Sequence, residues 1–203
     1  MKKTQPLVVV IEDDDTVREA VCHLIASVGM KVLDYQGCRP FLADKSAHDC
    51  DCLVLDIRLP DGNGLMLHQQ LAARGDAPPV VFISAHGDIP MVVQAMRQGA
   101  LGFLEKPFGG QALLDHIHEA VAHAAGRRRE RAGRATAEAR IASLTPRERE
   151  VMALVARGTP NKEIGRLLGI SVRTVEHHRA RMMNKMRAAS LPRLVNVLAK
   201  LDR

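Results

Sequence analysis

The feature that most narrows the possible folds is an alternation. Five short apolar runs, at residues 7–11, 31–35, 52–55, 80–83 and 101–104, are separated by stretches of helical periodicity. Runs this short and this rich in Val, Ile and Leu read as strands, and the helices between them act as crossovers, so the strands run parallel. Between the first two runs Val17, Val21, Leu24, Ile25 and Val28 fall on one helical face, and Gly29 supplies the stop. Four of the five strands look buried on both faces. The second carries Lys31 and Asp34 and looks like an edge. The pattern predicts an α/β sandwich of about 120 residues, an ordinary domain size.

The rest of the chain is chemically different. Residues 1–125 hold 10 Lys+Arg against 16 Asp+Glu, a balance of −6, whereas residues 126–203 hold 19 against 7, a balance of +12. A basic part of this kind suits a polyanionic partner. The chain has 4 Phe, 1 Tyr and no Trp, with no aromatic beyond Phe108, so little is available for stacking on unpaired bases and a duplex is favoured. From residue 126 to residue 142 there is no apolar periodicity, only Arg127, Arg128, Arg129, Arg131, Arg134 and Arg140 among alanines. This reads as a partly helical linker, 124–142, whose arginines either add nonspecific attraction to the polyanion or are simply solvated.

Sharp helix punctuation follows. Thr145 with Glu148 forms a capping box and Pro146 takes the first helical position, so a helix starts there and ends at Gly158. A second helix begins at Asn161 and stops at Gly169, Ser171 caps a third that reaches Met186, and Ser190 caps a fourth with Leu191, Leu194, Val195, Leu198 and Leu201. Four short helices in this order make a compact helix-turn-helix unit over 143–203.

Two classes do not fit the sequence. The apolar stretch 6–11 is cut off by Glu12–Asp15 too soon for a signal-peptide core or a membrane span, so a cytoplasmic location with no membrane partner is expected. Cysteines 22, 38, 50 and 52 form no C-x-x-C pair and have no partners for a zinc site, so they read as reduced thiols.

The first half concentrates acids where strands end: Glu12 and Asp13 after the first, Asp56 after the third. In an open parallel sheet the carboxyl ends of strands around the switch in winding direction form the binding crevice. Three carboxylates there repel one another unless a hard cation intervenes, and Mg²⁺ held by carboxylates and water is the usual solution. Lys106, after the fifth strand, would bring the formal charge of such a site to zero. Taken singly, each of these residues is better explained by a cap or a turn.

Four stretches carry a resemblance: VVIEDDD at 9–15, LVLDIRLPDGNG at 53–64, FISAHGD at 82–88 and FLEKPF at 103–108. Together they resemble the receiver domain of NarL/FixJ two-component response regulators, over a receiver segment of 1–123 with a flavodoxin-like, five-stranded doubly wound fold. The resemblance implies that Asp56 accepts a phosphoryl group from a histidine kinase, making the chain a phosphoprotein and not an enzyme. It further implies Mg²⁺ on Asp13, Asp56, the backbone carbonyl of Arg58 and Glu12, the last directly or through water, with Ser84 and Lys106 on the phosphoryl oxygens. Glu12 and Ser84 stand where Asp and Thr are commoner. Phe103 matches an aromatic that changes rotamer on activation, although a core aromatic fits it too. Lys106–Pro107 matches a cis peptide, and Arg58 and His86 match positions that border the phosphoryl group. Asp56 is already an anion, so transfer needs positioning and charge neutralisation, with no nucleophilic base.

Residues 144–201 resemble the LuxR-type helix-turn-helix, through LTPREREV at 144–151 and SVRTVEHHR at 171–179. On the third helix Val172, Val175, Met182, Met183 and Met186 face inward, while Arg173, Glu176, His177, Ala180, Arg181 and Asn184 form the opposite stripe. A major groove admits such a face. The resemblance implies Glu176, His177 and Ala180 as base readers, with Arg173, Thr174, Arg179, Arg181 and Lys185 near phosphates and Asn161 and Lys162 on the DNA backbone. Glu148 reads as a cap or structural partner. The implied whole is a transcription regulator that binds promoter DNA sequence-specifically, meets RNA polymerase, and forms a homodimer on phosphorylation through residues 89–98 and 101–104. The helix 191–201 is either a second contact between copies or a packing element of its own domain.

Two rival readings draw on the same residues. A Mg²⁺-dependent phosphohydrolase of the haloacid-dehalogenase type would show D-x-D, but Asp56 is followed by Ile57 and Arg58, without the second acid. A constitutive DNA-binding protein would use the receiver only to dimerise.

Overall fold

The computed structural model describes residues 5–75, 77–85 and 88–201. The chain divides into two compact units, residues 1–126 and 127–203.

In the first unit the strands β1 (Leu7–Ile11), β2 (Lys31–Tyr35), β3 (Cys52–Asp56), β6 (Val80–Ser84) and β7 (Gly102–Glu105) form one sheet in the order β2-β1-β3-β6-β7, all neighbours parallel. A two-stranded hairpin, β4 (Arg58–Leu59) and β5 (Gly62–Asn63), follows β3 directly. Because successive side chains point to opposite faces, each strand feeds two cores. Val9, Ile11, Leu53, Leu55, Val80 and Phe82 pack in one, together with residues of α2 (Cys38–Ala43), α3 (Gly64–Ala73) and α4 (Ile89–Arg97). Val8, Val10, Cys52, Val54, Val81 and Ile83 pack in the other, with α1 (Asp15–Ser27) and Leu113, Ile117 and Ala120 of α5 (Gly110–Ala142).

One strand departs from expectation. β7 lies at the second edge of the sheet, and of its residues only Gly102 is buried while Glu105 is exposed. A five-stranded open sheet has two edges, and the apolar run at 101–104 carries no charge to mark this one. The double burial expected of four strands therefore holds for β1, β3 and β6.

The linker departs too. It is helical throughout, as the later part of α5. Alanine, arginine and glutamate favour helix, and Arg134 pairs with Glu138 one turn on at 3.0 Å. Ala137 is buried and Ile141 packs against the core of the second unit, contacts too sparse to register as periodicity.

That core is built from Leu144, Val151, Val155, Ile164, Val175, Met182, Met186, Ala188 and Leu194. It is wrapped by α6 (Pro146–Ala156), α7 (Asn161–Leu168), α8 (Val172–Met186) and α9 (Leu191–Leu198). The Thr145–Glu148 capping box is present, and Ser171 and Ser190 each accept from a first-turn N–H of the helix they cap. Gly169 ends α7 with φ +66°, and Gly165 allows close approach, since a Cβ there would sit 2.8 Å from the Ile170 carbonyl oxygen. Val172 is exposed, 42 % accessible, against the expectation that it packs inward; as the first residue of α8 it lies past the rim of the core.

Candidate functional site

The chain winds to β2 on one side of β1 and to β3 on the other, so the change of direction falls between β1 and β3. Ile11 is in register with Leu55, which brings the residues that follow them, Glu12 and Asp56, side by side at the carboxyl edge. Glu12 is fully buried, Asp56 is buried and Asp13 is exposed. One carboxylate oxygen from each of the three lies within 4.8 Å of the others. Lys106 arrives from the end of β7, where its backbone N–H donates to the Ser84 carbonyl at 2.8 Å. Its ammonium donates to Glu12 Oε2 at 2.5 Å and to Asp56 Oδ2 at 2.6 Å. The bond from Lys106 to Pro107 is cis.

The electrostatics follow from this packing. Burial, reinforced by the Asp56 charge, pushes the Glu12 carboxyl above its ordinary range against the pull of Lys106. Burial also disfavours the Lys106 cation, but hydrogen bonds and attraction from Asp56 and Glu12 outweigh it and raise its pKa. The site is thus a small nest of hard oxygen donors balanced on one ammonium, a donor set suited to a small divalent cation.

Backbone contacts fix the nest. Arg58 N–H donates to Asp56 Oδ1 at 3.0 Å, and Gly64 N–H to the Ile57 carbonyl at 2.9 Å. A Cβ on Gly64 would collide with the Asp56 carbonyl oxygen, so only glycine fits where α3 begins. Asp61, in the turn of the β4-β5 hairpin, accepts from Cys38 N–H at 2.9 Å and Arg39 N–H at 2.7 Å, capping α2, whose own N-cap is Gly37. Arg18 is a supporting residue that the sequence reading missed. Buried on α1, it donates to the Glu12 carbonyl at 2.9 Å and to Asp34 at 3.0 Å, and it also pairs with Asp15. The available signal was its place three residues after Asp15. Ser84 is fully buried at the end of β6, and Phe103, in register with Phe82, is half-buried against the core that holds α4. His86 lies outside the described residues.

On α8, Arg173, Glu176, His177, Ala180, Arg181 and Asn184 are all exposed, and Val175, Met182 and Met186 are buried beneath them. Lys162 is exposed at the start of α7. Arg179 donates to Asn161 Oδ1 at 2.8 Å, joining α8 to the first turn of α7. The Thr174 hydroxyl is 2.8 Å from that of Ser171, within the cap. Lys185 is half-buried and engaged inside its own unit. Its ammonium donates to buried Glu148 at 2.6 Å and to the Ser143 carbonyl at 3.1 Å.

Comparison with known proteins matches this arrangement half by half. Residues 8–118 fit the family model of the response regulator receiver domain, and residues 142–198 fit that of the bacterial regulatory proteins of the luxR family. The chain belongs to the NarL/FixJ family of two-component response regulators. The regulator is 42 % identical over 188 residues to the transcriptional regulatory protein FixJ of Azorhizobium caulinodans, covering 93 % of this chain and 89 % of that one. Among solved structures it superposes on the response regulator StyR with a TM-score of 0.86 at 42 % identity, covering 97 % of this chain and 100 % of that one. Full-length FixJ from B. japonicum gives 0.59 at 36 % identity, with 98 % of each chain covered. The response regulator is therefore a transcription regulator with a DNA-binding domain, of a family that is not enzymatic, and the hydrolase alternative falls away. No helix among the described residues is long and apolar enough to cross a membrane.

Proposed function

We propose that Asp56 is the phosphoacceptor and that its phosphorylation controls promoter binding by α8. The observation that supports this most is the convergence of Glu12, Asp13, Asp56 and Lys106 from three separate strand ends into one nest. Asp56 Oδ attacks phosphorus, the bond from phosphorus to the kinase's histidine nitrogen breaks, and the imidazole leaves. No proton need be removed from the nucleophile, so the protein contributes position and charge. Lys106 exchanges one carboxylate oxygen of Asp56 for a phosphoryl oxygen, while Ser84 offers a hydroxyl from the end of β6. Glu12, Asp13, Asp56 and the Arg58 carbonyl would hold Mg²⁺, which when bound supplies positive charge to the transferring oxygens. Phe103, half-buried on the edge strand, is placed to change its packing in response.

In this reading residues 1–123 are the receiver, 124–142 the basic helical linker and 143–203 the DNA-binding domain, in a cytoplasmic protein served by a cognate histidine kinase. Ile89, Val93 and Met96 form one exposed apolar stripe on α4, with 79 %, 42 % and 48 % accessibility, which supports pairing of two phosphorylated copies through α4 and β7. On α9 Leu194 is buried and Leu191, Val197 and Leu198 pack inward, so most of that helix serves its own domain; only Val195, 42 % accessible, is left for a second contact. Glu176, His177 and Ala180 read base edges in the major groove, Asn161, Lys162, Arg173, Thr174, Arg179 and Arg181 approach phosphates, and bound RNA polymerase reads the result.

The direct test is phosphoryl incorporation. The full chain is incubated with acetyl phosphate, with and without Mg²⁺, and the modified residue is located by mass spectrometry. Modification of Asp56 that depends on Mg²⁺ and is absent in Asp56→Asn is expected. Equal modification of Asp56→Asn would overturn the assignment.

A further inference from the structure

The last turns of α5 and the last turn of α8 cap one another. Carbonyls at a helix C-terminus have no partner within the helix and carry the negative end of its dipole, so a cation from elsewhere is stabilising there. At the end of α8 the chain turns through Arg187 at φ 50°, and the N–H groups of Arg187 and Ala188 satisfy the carbonyls of Asn184 and Met183. The Met186 carbonyl accepts from Arg140 Nη1 of α5 at 3.1 Å. In return Lys185 of α8 donates to the Ser143 carbonyl, just past the end of α5, at 3.1 Å.

The exchange is locked by a third helix end. Lys185 also donates at 2.6 Å to Glu148, which accepts from Thr145 N–H at 2.8 Å as part of the α6 cap. Met186 and Leu144 pack in the hydrophobic core of this unit, and Ala137 of α5 is buried. A single apolar contact lets a helix roll. Two oppositely directed, charge-assisted hydrogen bonds added to a packed core do not, because each fixes the other's lever arm.

We infer that Arg140 and Lys185 are positioning residues for DNA reading: their reciprocal capping sets the angle at which α8 presents Glu176, His177 and Ala180 to base edges. The inference rests on α8 being the groove-reading helix. It gives Lys185 a task other than the phosphate contact that resemblance suggests for it. It also gives the end of the basic linker a part in selectivity beyond general attraction to DNA.

The two tasks leave different traces. A phosphate contact contributes about 0.9 to the slope of log affinity against log salt and is blind to sequence, whereas a positioning residue leaves the slope alone and affects base discrimination. The experiment uses the full chain, a duplex that the wild type selects from a random pool, and a mixed-sequence duplex of the same length. In Arg140→Met and Lys185→Met, affinity for the selected duplex should fall about tenfold, the scale of one lost base contact. Affinity for the mixed duplex and the salt slope should stay as in wild type, and Arg140→Lys should restore selectivity. Retained mixed-sequence binding shows that a variant is folded; if Arg140→Met unfolds, Arg140→Gln carries the same comparison.

A salt slope reduced by about one in Lys185→Met would overturn the inference in favour of a phosphate contact. Equal losses on both duplexes, or no loss on either, would overturn it as well. Glu176→Ala distinguishes a failed assignment of α8 from a failed positioning role. If it too leaves selectivity intact, the reading of α8 has failed; if it destroys selectivity while Arg140→Met does not, only the positioning role has.

Discussion

Lys106 Nζ lies 2.6 Å from Asp56 Oδ2, two residues 50 positions apart in sequence. Neither is held by its own strand alone. Parallel pairing of β3 with β6 and of β6 with β7 sets Asp56, Ser84 and Glu105 at successive strand ends, and Lys106 follows. The fold thus gathers charges that unfolded chains keep apart, and the lysine bears the cost of holding Glu12 and Asp56 together.

Removing that lysine should therefore destabilise the receiver in a way that a cation repairs. Lys106→Met leaves two mostly buried carboxylates facing each other, at a cost of about 2 to 4 kcal/mol. Thermal unfolding should show a lower Tm than wild type, and millimolar Mg²⁺ should narrow the gap. A gap of the same size with and without Mg²⁺ would speak against a shared cation site.

Gly64→Ala should damage stability and phosphorylation together. The added methyl meets the backbone carbonyl of Asp56, which is not a flexible side-chain end, so the phosphoacceptor loop must shift. A loss of about 1 to 3 kcal/mol is expected from such overpacking, together with slower incorporation from acetyl phosphate. Denaturant titration and the rate of incorporation check the two halves; unchanged values would mean that the loop yields freely.

Much of the fold is written in local pattern, and what is not depends on contacts that no local pattern encodes. The runs at 7–11 and 31–35 became strands with the same bounds, and the caps at Thr145, Ser171 and Ser190 start their helices, because these signals act within a few residues. The edge position of β7 could not be read from Leu101–Leu104, since adjacency in a sheet is set by winding order. Arg18 and Lys185 look like ordinary surface cations in sequence; only the packing of α1 against β1 and of α8 against α6 turns them inward. The acids at 12, 13 and 56 were legible because strand ends and the change of winding direction say where they must meet.

The second unit carries a pH dependence of known sign. Hydrogen bonds from Lys185 and from Thr145 N–H hold the Glu148 carboxyl down at about 2, below its ordinary 4.5. A depressed acid contributes stability that is complete above its unfolded pKa and is lost as pH falls towards the folded value. Stability should therefore decline between pH 4.5 and about 2. In Glu148→Gln part of this decline should vanish and neutral-pH stability should drop by about 2 kcal/mol, allowing for the half-exposed lysine. Denaturant midpoints measured across that range check both.

His68 gives the receiver a dependence in a different window. Buried on α3 against Phe82, with its Nδ1 meeting no hydrogen-bond partner among the described residues, it has its pKa lowered from 6.5 by desolvation. The unfolded chain then takes up the proton first, so stability is retained above pH 6.5 and falls as pH drops below it. His68→Leu should remove that slope while preserving the packing, and a slope unchanged by the substitution would place its origin in another group.

Control of DNA binding by the state of Asp56 is tested by the affinity of the full chain for its selected duplex with and without acetyl phosphate and Mg²⁺. The treatment should tighten binding by wild type and leave Asp56→Asn unaffected. Equal affinities for treated and untreated wild type would contradict such control and would leave the receiver as a constitutive dimerisation module.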